Sequence, residues 1–221
     1  MTDLLTPRRR ELVARMADLG PAIAARADQV DRDAAFPYEN YAELREAGFL
    51  ALCIPEEHGG LGADFVTYAL VSEELARHCG STALTFNMHT ATMLLVGEIA
   101  DDLAMGDDER VEHERRRTAV WRGVVDDGTI HAQPFSEGRA PGETAGFATR
   151  AVPVDGGYRV SGRKIFASLS EAADSHNVTC MVEGDDRVRF LGVPADAEGI
   201  TIEGDWDPLG MRGTISKNLL F

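Results

Sequence analysis

Residues 152–168, VPVDGGYRVSGRKIFAS, are two short runs rich in Val, Ile and Phe, separated by Asp155-Gly156-Gly157. An Asp-Gly-Gly turn between such runs reads as a β-hairpin, because glycine takes the positive φ that tight hairpin turns require. The same character continues downstream. HNVTCMVEG (176–184), DRVRFLGVP (186–194) and ISKNLLF (215–221) are short, apolar and divided by Gly and Asp, and MVEGDDRVRFLGV (181–193) reads as a second hairpin. Upstream of about Gly128 the period changes. Leu12, Met16, Leu19, Ile23, Ala27 and Val30 recur at steps of three and four, the spacing of one helical face. Thr6 and Pro7 suit a helix start, and Pro21 after Gly20 predicts a kink. PYENYAELREAGF predicts a short helix ending at Gly48, and Pro55, Gly59, Gly60 and Gly62 predict a loop. Asp64 and Ser81 are candidate caps for two further helices, and DDERVEHERRRTAVWRGVVDD for a fifth with an acidic first turn. Helices followed by strands give an α+β protein rather than a Rossmann alternation. The expected order is an N-terminal all-α helical domain, residues 1–128, then an antiparallel β-barrel or sandwich-like middle domain, residues 129–221.

Composition narrows the function. At 221 residues and a net charge of −15, the chain would repel a phosphate backbone, so nucleic acid is not an expected partner. Its cations are twenty Arg against two Lys, Lys164 and Lys217. Cys53, Cys79 and Cys180 form no CxxC pair, which argues against a zinc site or a disulfide framework and fits a reducing cytoplasm. No run approaches the eighteen apolar residues of a membrane span, and no metal-ligand spacing occurs among the six histidines. Dinucleotide, P-loop, HExxH and GxSxG motifs are all missing.

Two segments can carry chemistry. In IHAQPFSEGRAPG (130–142) a strand enters a loop bearing Phe135, Ser136 and Glu137, with glycines that let backbone approach a ligand closely. In GRKIFASLSEAAD (162–174), Phe166 offers an aromatic wall beside the small residues Ala167 and Ser168. An aromatic side chain with hydroxyl and amide donors nearby is what a planar heteroaromatic cofactor needs. The residues alone leave this reading open beside plain strand core with a polar loop.

The order of six pieces adds more. FPYENYAELREAGFLALCIPEEHGGLGADF (36–65), EELARHCGST (73–82), FSEGRAPG (135–142), GGYRVSGRKIFAS (156–168), Ala173-Asp174 and WDPLGMRGTISKNLLF (206–221) together resemble the acyl-CoA dehydrogenase family of flavoproteins. The resemblance implies a helical domain, a β-domain and a C-terminal four-helix bundle, with FAD between the last two. It implies α-proton abstraction from an acyl-CoA thioester and β-hydride transfer to the flavin, then electron delivery to an electron-transferring flavoprotein, in a homo-oligomeric full-length enzyme. The family's Thr-Glu-Pro turn falls on Ser136, Glu137 and Gly138, and its Trp-Ile-Thr segment on Phe166, Ala167 and Ser168. Phe135, Ser136, Phe166, Ala167 and Ser168 are therefore the expected cofactor-binding residues, and no metal is expected. The serine with which the family helps hold acyl-CoA is missing from Pro141-Gly142-Glu143, so a flavin-dependent monooxygenase of the same fold is the alternative. The family's glutamate base is expected beyond residue 221. Residues 1–221 alone are then a piece of the enzyme that binds FAD weakly and does not oxidise acyl-CoA. A third reading is a shortened, non-enzymatic protein that binds a partner through an uncovered face.

Overall fold

The computed structural model describes residues 4–138 and 146–221. They fall into two compact units: one up to Thr129 joined by Leu209–Thr214, the other Ile130–Pro208 joined by Ile215–Phe221.

The first unit is helical. Helix α1 spans Pro7–Asp33, with the Thr6 hydroxyl accepting from Arg9 N at 3.3 Å and Pro7 in the first turn. It runs as one helix through Pro21, and Leu12, Met16, Gly20 and Ile23 are its buried residues, while Leu19, Ala27 and Val30 are half-buried. Helix α2, Tyr38–Glu46, stops at Gly48, whose φ of 79° is the left-handed conformation that ends helices. The following segment is loop-like, yet Phe49, Leu50, Leu52 and Ile54 are each no more than 2 % exposed. Burying such a side chain contributes about 1.5–3 kcal/mol, so this stretch is core as much as connection. Helices α3 (Phe65–Ala76), α4 (Gly80–Val96), α5 (Glu98–Asp101) and α6 (Asp107–Arg122) follow, and α6 runs into a π-turn at Gly123–Asp127. A polar seam ties three of them: Asn40 donates to Thr82 Oγ1 at 2.8 Å, and Arg26 donates to Asn40 Oδ1 and to Glu43, each at 2.6 Å.

Asp64 caps α3, its Oδ1 accepting from Thr67 N at 2.8 Å while Oδ2 meets Arg9 at 2.5 Å. Asp64→Ala is expected to cost about 1–2 kcal/mol, because an orphan helix N–H loses its acceptor; urea unfolding at neutral pH measures it. Ser81 does not cap α4. The helix starts at Gly80, two residues earlier than a Ser81 cap would put it, with extended Cys79 in the cap position, and Ser81 is buried in the first turn. Gly213 packs there so closely that a Cβ on it would lie 3.2 Å from Ser81 Cβ, so the serine is used in packing.

The second unit holds two sheets. In the five-stranded sheet, β5 (Ser175–Val182) is central. Strand β6 (Val188–Pro194) lies antiparallel along it from Met181↔Val188 to Ser175↔Pro194, the hairpin expected over 181–193. Two strands meet β5 in parallel: β1 (His131–Ala132) at Ser175 and His176, and β2 (Arg150–Val154) at Met181 and Val182. Strand β3 (Gly157–Ser161) pairs with β2 from Val154↔Gly157 to Arg150↔Ser161, and Gly156 turns the hairpin at φ 80°. The three-stranded sheet has the order β4 (Arg163–Ala167), β8 (Lys217–Leu220), β7 (Thr201–Glu203). The architecture is two sheets in a sandwich-like arrangement, without a closed barrel. The expected antiparallel pairing holds for β2–β3, β5–β6, β4–β8 and β7–β8, while β1 and β2 lie parallel to β5, which they reach through the long connections that parallel neighbours need. Among the described residues no helix is long and apolar enough to cross a membrane, and no cluster of His, Cys, Asp and Glu could hold a metal.

Candidate functional site

The two segments singled out in the sequence meet. Residues 133–138 after β1 form no strand of their own, but Ser136 O accepts from Ile165 N in β4 at 2.8 Å. That bond sets Phe135 and Ser136 beside the strand carrying Phe166, Ala167 and Ser168. Gly138 leaves the loop at φ 69°, a conformation the family's proline could not adopt, and it lies close against Ile165 Cδ1.

The loop is held by a buried ion pair. Glu137 Oε1 accepts from Lys164 Nζ at 2.8 Å, from Thr149 N at 2.9 Å and from Thr149 Oγ1 at 2.6 Å, and Oε2 accepts from Ala148 N. The two side chains are 4 % and 0 % exposed. Burial alone would push the Glu137 carboxyl up, but the bonds from Lys164, Thr149 and Ala148 outweigh it and hold the carboxyl down at about 2. Lys164 also donates to Thr179 Oγ1 at 3.0 Å and to Phe135 O at 3.4 Å. Its ammonium lies 4.5 Å from the centre of the Phe147 ring, which meets the Phe135 ring edge-on at 4.9 Å.

Phe166 stands out locally. It is 64 % exposed and has φ 52°, in the left-handed region that a bulky residue adopts only at a cost of about 1–3 kcal/mol. The β4–β8 register shifts between Lys164 and Ala167, so the strand bulges where Phe166 leaves it, and Trp206 meets the ring edge-on at 6.2 Å. Leu169 and Ile215 are also left-handed, at φ 67° and 43°. Hydroxyls clasp this turn: Ser168 Oγ and Ser216 Oγ are 2.8 Å apart, and Ser170 Oγ donates to Ile215 O at 2.6 Å.

Of the five expected residues, Phe135, Ser136 and Phe166 are exposed, whereas Ala167 is buried and Ser168 is 9 % exposed within its hydroxyl pair. A hydroxyl keeps further lone pairs when paired, so Ser168 retains hydrogen-bonding capacity. Lys164, Thr149, Thr179 and Ser216 were not expected. The one sequence signal for Lys164 is its rarity, a lysine in a chain that otherwise uses arginine. Pro141, Gly142 and Glu143 lie outside the described residues.

Comparisons with known proteins identify the family. The model for the acyl-CoA dehydrogenase N-terminal domain matches residues 7–102, and that for the middle domain matches 132–221. The chain belongs to the acyl-CoA dehydrogenase family. Among family relatives, YdbM of Bacillus subtilis (strain 168), provisionally named an acyl-CoA dehydrogenase, is 32 % identical over 95 % of this chain and 52 % of its own length. Dibenzothiophene monooxygenase of Rhodococcus erythropolis is 29 % identical, with 98 % of this chain and 52 % of the relative covered. The solved structure of KijD3 with FMN and a dTDP-linked amino sugar superposes with a TM-score of 0.83 at 29 % identity, over 98 % of this chain and 52 % of that one. The chain thus spans about half the length of the curated relatives it matches.

Proposed function

We propose that this chain binds a flavin against Phe166 and serves a flavin-dependent oxidoreductase that acts on the CH–CH group of an acyl-CoA thioester. The observation that carries the reading is an exposed aromatic ring on strained backbone, within the residues that match the family's middle domain. Strain of this kind persists where surrounding structure over-determines it, as it does at ligand clamps. The residues present fit a flavin. Phe166 would flank the ring system, Ser136 would supply its hydroxyl, and Ser168 with Ser216 would offer a preset hydroxyl pair. Bound there, a flavin supplies a hydride acceptor. The loop carboxylate cannot take the α proton: Glu137 is ionised down to about pH 2 and its oxygens are already hydrogen-bonded, whereas a general base works best with a pKa near the operating pH. The reading therefore leaves that proton to a carboxylate other than Glu137, and the electrons to an electron-transferring flavoprotein.

The monooxygenase reading has support of its own. FMN occupies a similar structure, and an oxygen-inserting enzyme is among the relatives at near-complete coverage of this chain. Mixing the flavin-loaded, full-length protein with acyl-CoA in the absence of oxygen separates the two. Bleaching of the flavin's visible band supports the dehydrogenase. No bleaching, with substrate oxidation only when reduced flavin and oxygen are both supplied, supports the monooxygenase.

Phe166→Gly tests the wall. Glycine relieves the left-handed strain but costs about 0.5–1 kcal/mol in chain entropy, so stability is expected to change by no more than about 1 kcal/mol. Losing an aromatic ring contact worth about 0.5–1.5 kcal/mol raises the flavin Kd roughly 2- to 10-fold. Thermal unfolding and flavin fluorescence titration read the two effects separately.

A further inference from the structure

We propose that Lys164 and Glu137 are the positioning pair of the flavin site, fixing where Ser136, Phe135 and Phe166 stand; this rests on the flavin reading above. The two side chains sit one residue from Ser136 and two residues from Phe166, and between them they reach four separate pieces of the unit. Glu137 binds the backbone that leads into β2 through Ala148 N and Thr149 N, and Lys164 binds β5 through Thr179 Oγ1. Lys164 also holds the loop itself through Phe135 O. Loop residues 133–138, which form no strand, thereby acquire fixed points on β4, on β5 and on the backbone that leads into β2.

Aromatic contacts pass the same constraint to an exposed ring. The Lys164 ammonium lies over Phe147 at 4.5 Å, and Phe147 sets the edge-on orientation of Phe135 at an interplanar angle of 89°. The pair's chemistry points the same way. A buried ion pair is a poor source of stability, because an apolar pair of similar volume is often as stable or more so. What it adds here is direction. An ammonium has three donors in a tetrahedral array, matching acceptors on Glu137, Thr179 and Phe135, whereas a guanidinium holds all its donors in one plane. In a chain with twenty Arg and two Lys, a lysine at this position is the residue whose geometry the acceptors require.

The test compares the full-length wild-type protein with its double variant Lys164→Met/Glu137→Leu, which removes both buried charges together. Each is freed of flavin and titrated with FAD and with FMN, followed by flavin fluorescence and visible circular dichroism, with thermal unfolding of the flavin-free forms alongside. The expected result is near wild-type unfolding with a Kd raised at least tenfold and an altered visible dichroism band, since the ring would sit in a differently ordered pocket. Wild-type Kd and dichroism in a folded double variant would overturn the proposal and reduce the pair to packing. If the double variant does not fold, Lys164→Arg keeps the charge and loses the tetrahedral array; an unchanged Kd and dichroism there would overturn it equally. Failure of wild type to bind either flavin would show first, before any variant, and would sink the flavin reading and this inference together.

Discussion

Replacing Lys164 alone by methionine is expected to destabilise the protein by about 3–5 kcal/mol at neutral pH. The cost comes from Glu137, not from the lost lysine contacts. With its side chain 4 % exposed, Glu137 would keep a buried carboxylate that has lost the Lys164 ammonium at 2.8 Å. Bonds from Thr149 and Ala148 compensate part of that charge, which is why the loss stops short of the cost of an isolated ion. Removing Glu137 as well should recover most of the stability, so the two single losses are strongly non-additive. Urea unfolding of the three variants forms the cycle. A single-variant loss under about 1 kcal/mol would mean that the pair is solvated in solution. The pH dependence has a fixed sign: the Glu137 carboxyl is depressed from 4.5 to about 2, so its stabilisation is complete above about pH 4.5 and disappears as pH falls toward 2.

The second large effect lies in a higher pH window. His131 and His176, on the adjacent strands β1 and β5, are 5 % and 1 % exposed. Burial pushes each imidazole from the usual 6.5 down to about 4, so both are neutral in the folded protein. Above about pH 6.5 neither state binds the proton and nothing changes. Between 6.5 and 4 the unfolded chain binds protons that the folded chain refuses, so stability falls as pH falls. At 1.36 kcal/mol per pH unit this amounts to about 3 kcal/mol for each histidine, a large share of the 5–15 kcal/mol that holds a typical domain. The urea midpoint should drop steeply between pH 7 and 4.5, and His176→Gln should halve the slope. A flat profile across that range, in wild type, would contradict the neutral buried state.

What the sequence disclosed, and what it hid, follows the range of each interaction. The hairpins over 152–161 and 181–193, the Asp64 cap and the Gly48 stop depend on neighbours a few residues apart, and composition shows them. Phe135, Ser136 and Phe166 could be nominated because aromatic and hydroxyl side chains flank loops, yet nothing local revealed that Phe166 sits at positive φ. The parallel pairing of β1 and β2 with β5 was invisible, since a strand's pattern does not name its partner. Ser81 looked like a cap by type, but packing against Gly213 decided its place. The Lys164–Glu137 pair spans 27 residues, and only the scarcity of lysine hinted at it.

Phe166 and the Ser136 loop are proposed to form one wall of a flavin site. The most direct measurement is a titration of the flavin-free protein with FAD and FMN, in wild type and in Phe166→Gly, followed by visible circular dichroism. Saturable binding with an induced dichroism band is expected, weakened in the variant while its fold is kept. Absence of saturable binding of either flavin to the full-length protein, or identical binding in Phe166→Gly, would contradict the proposal.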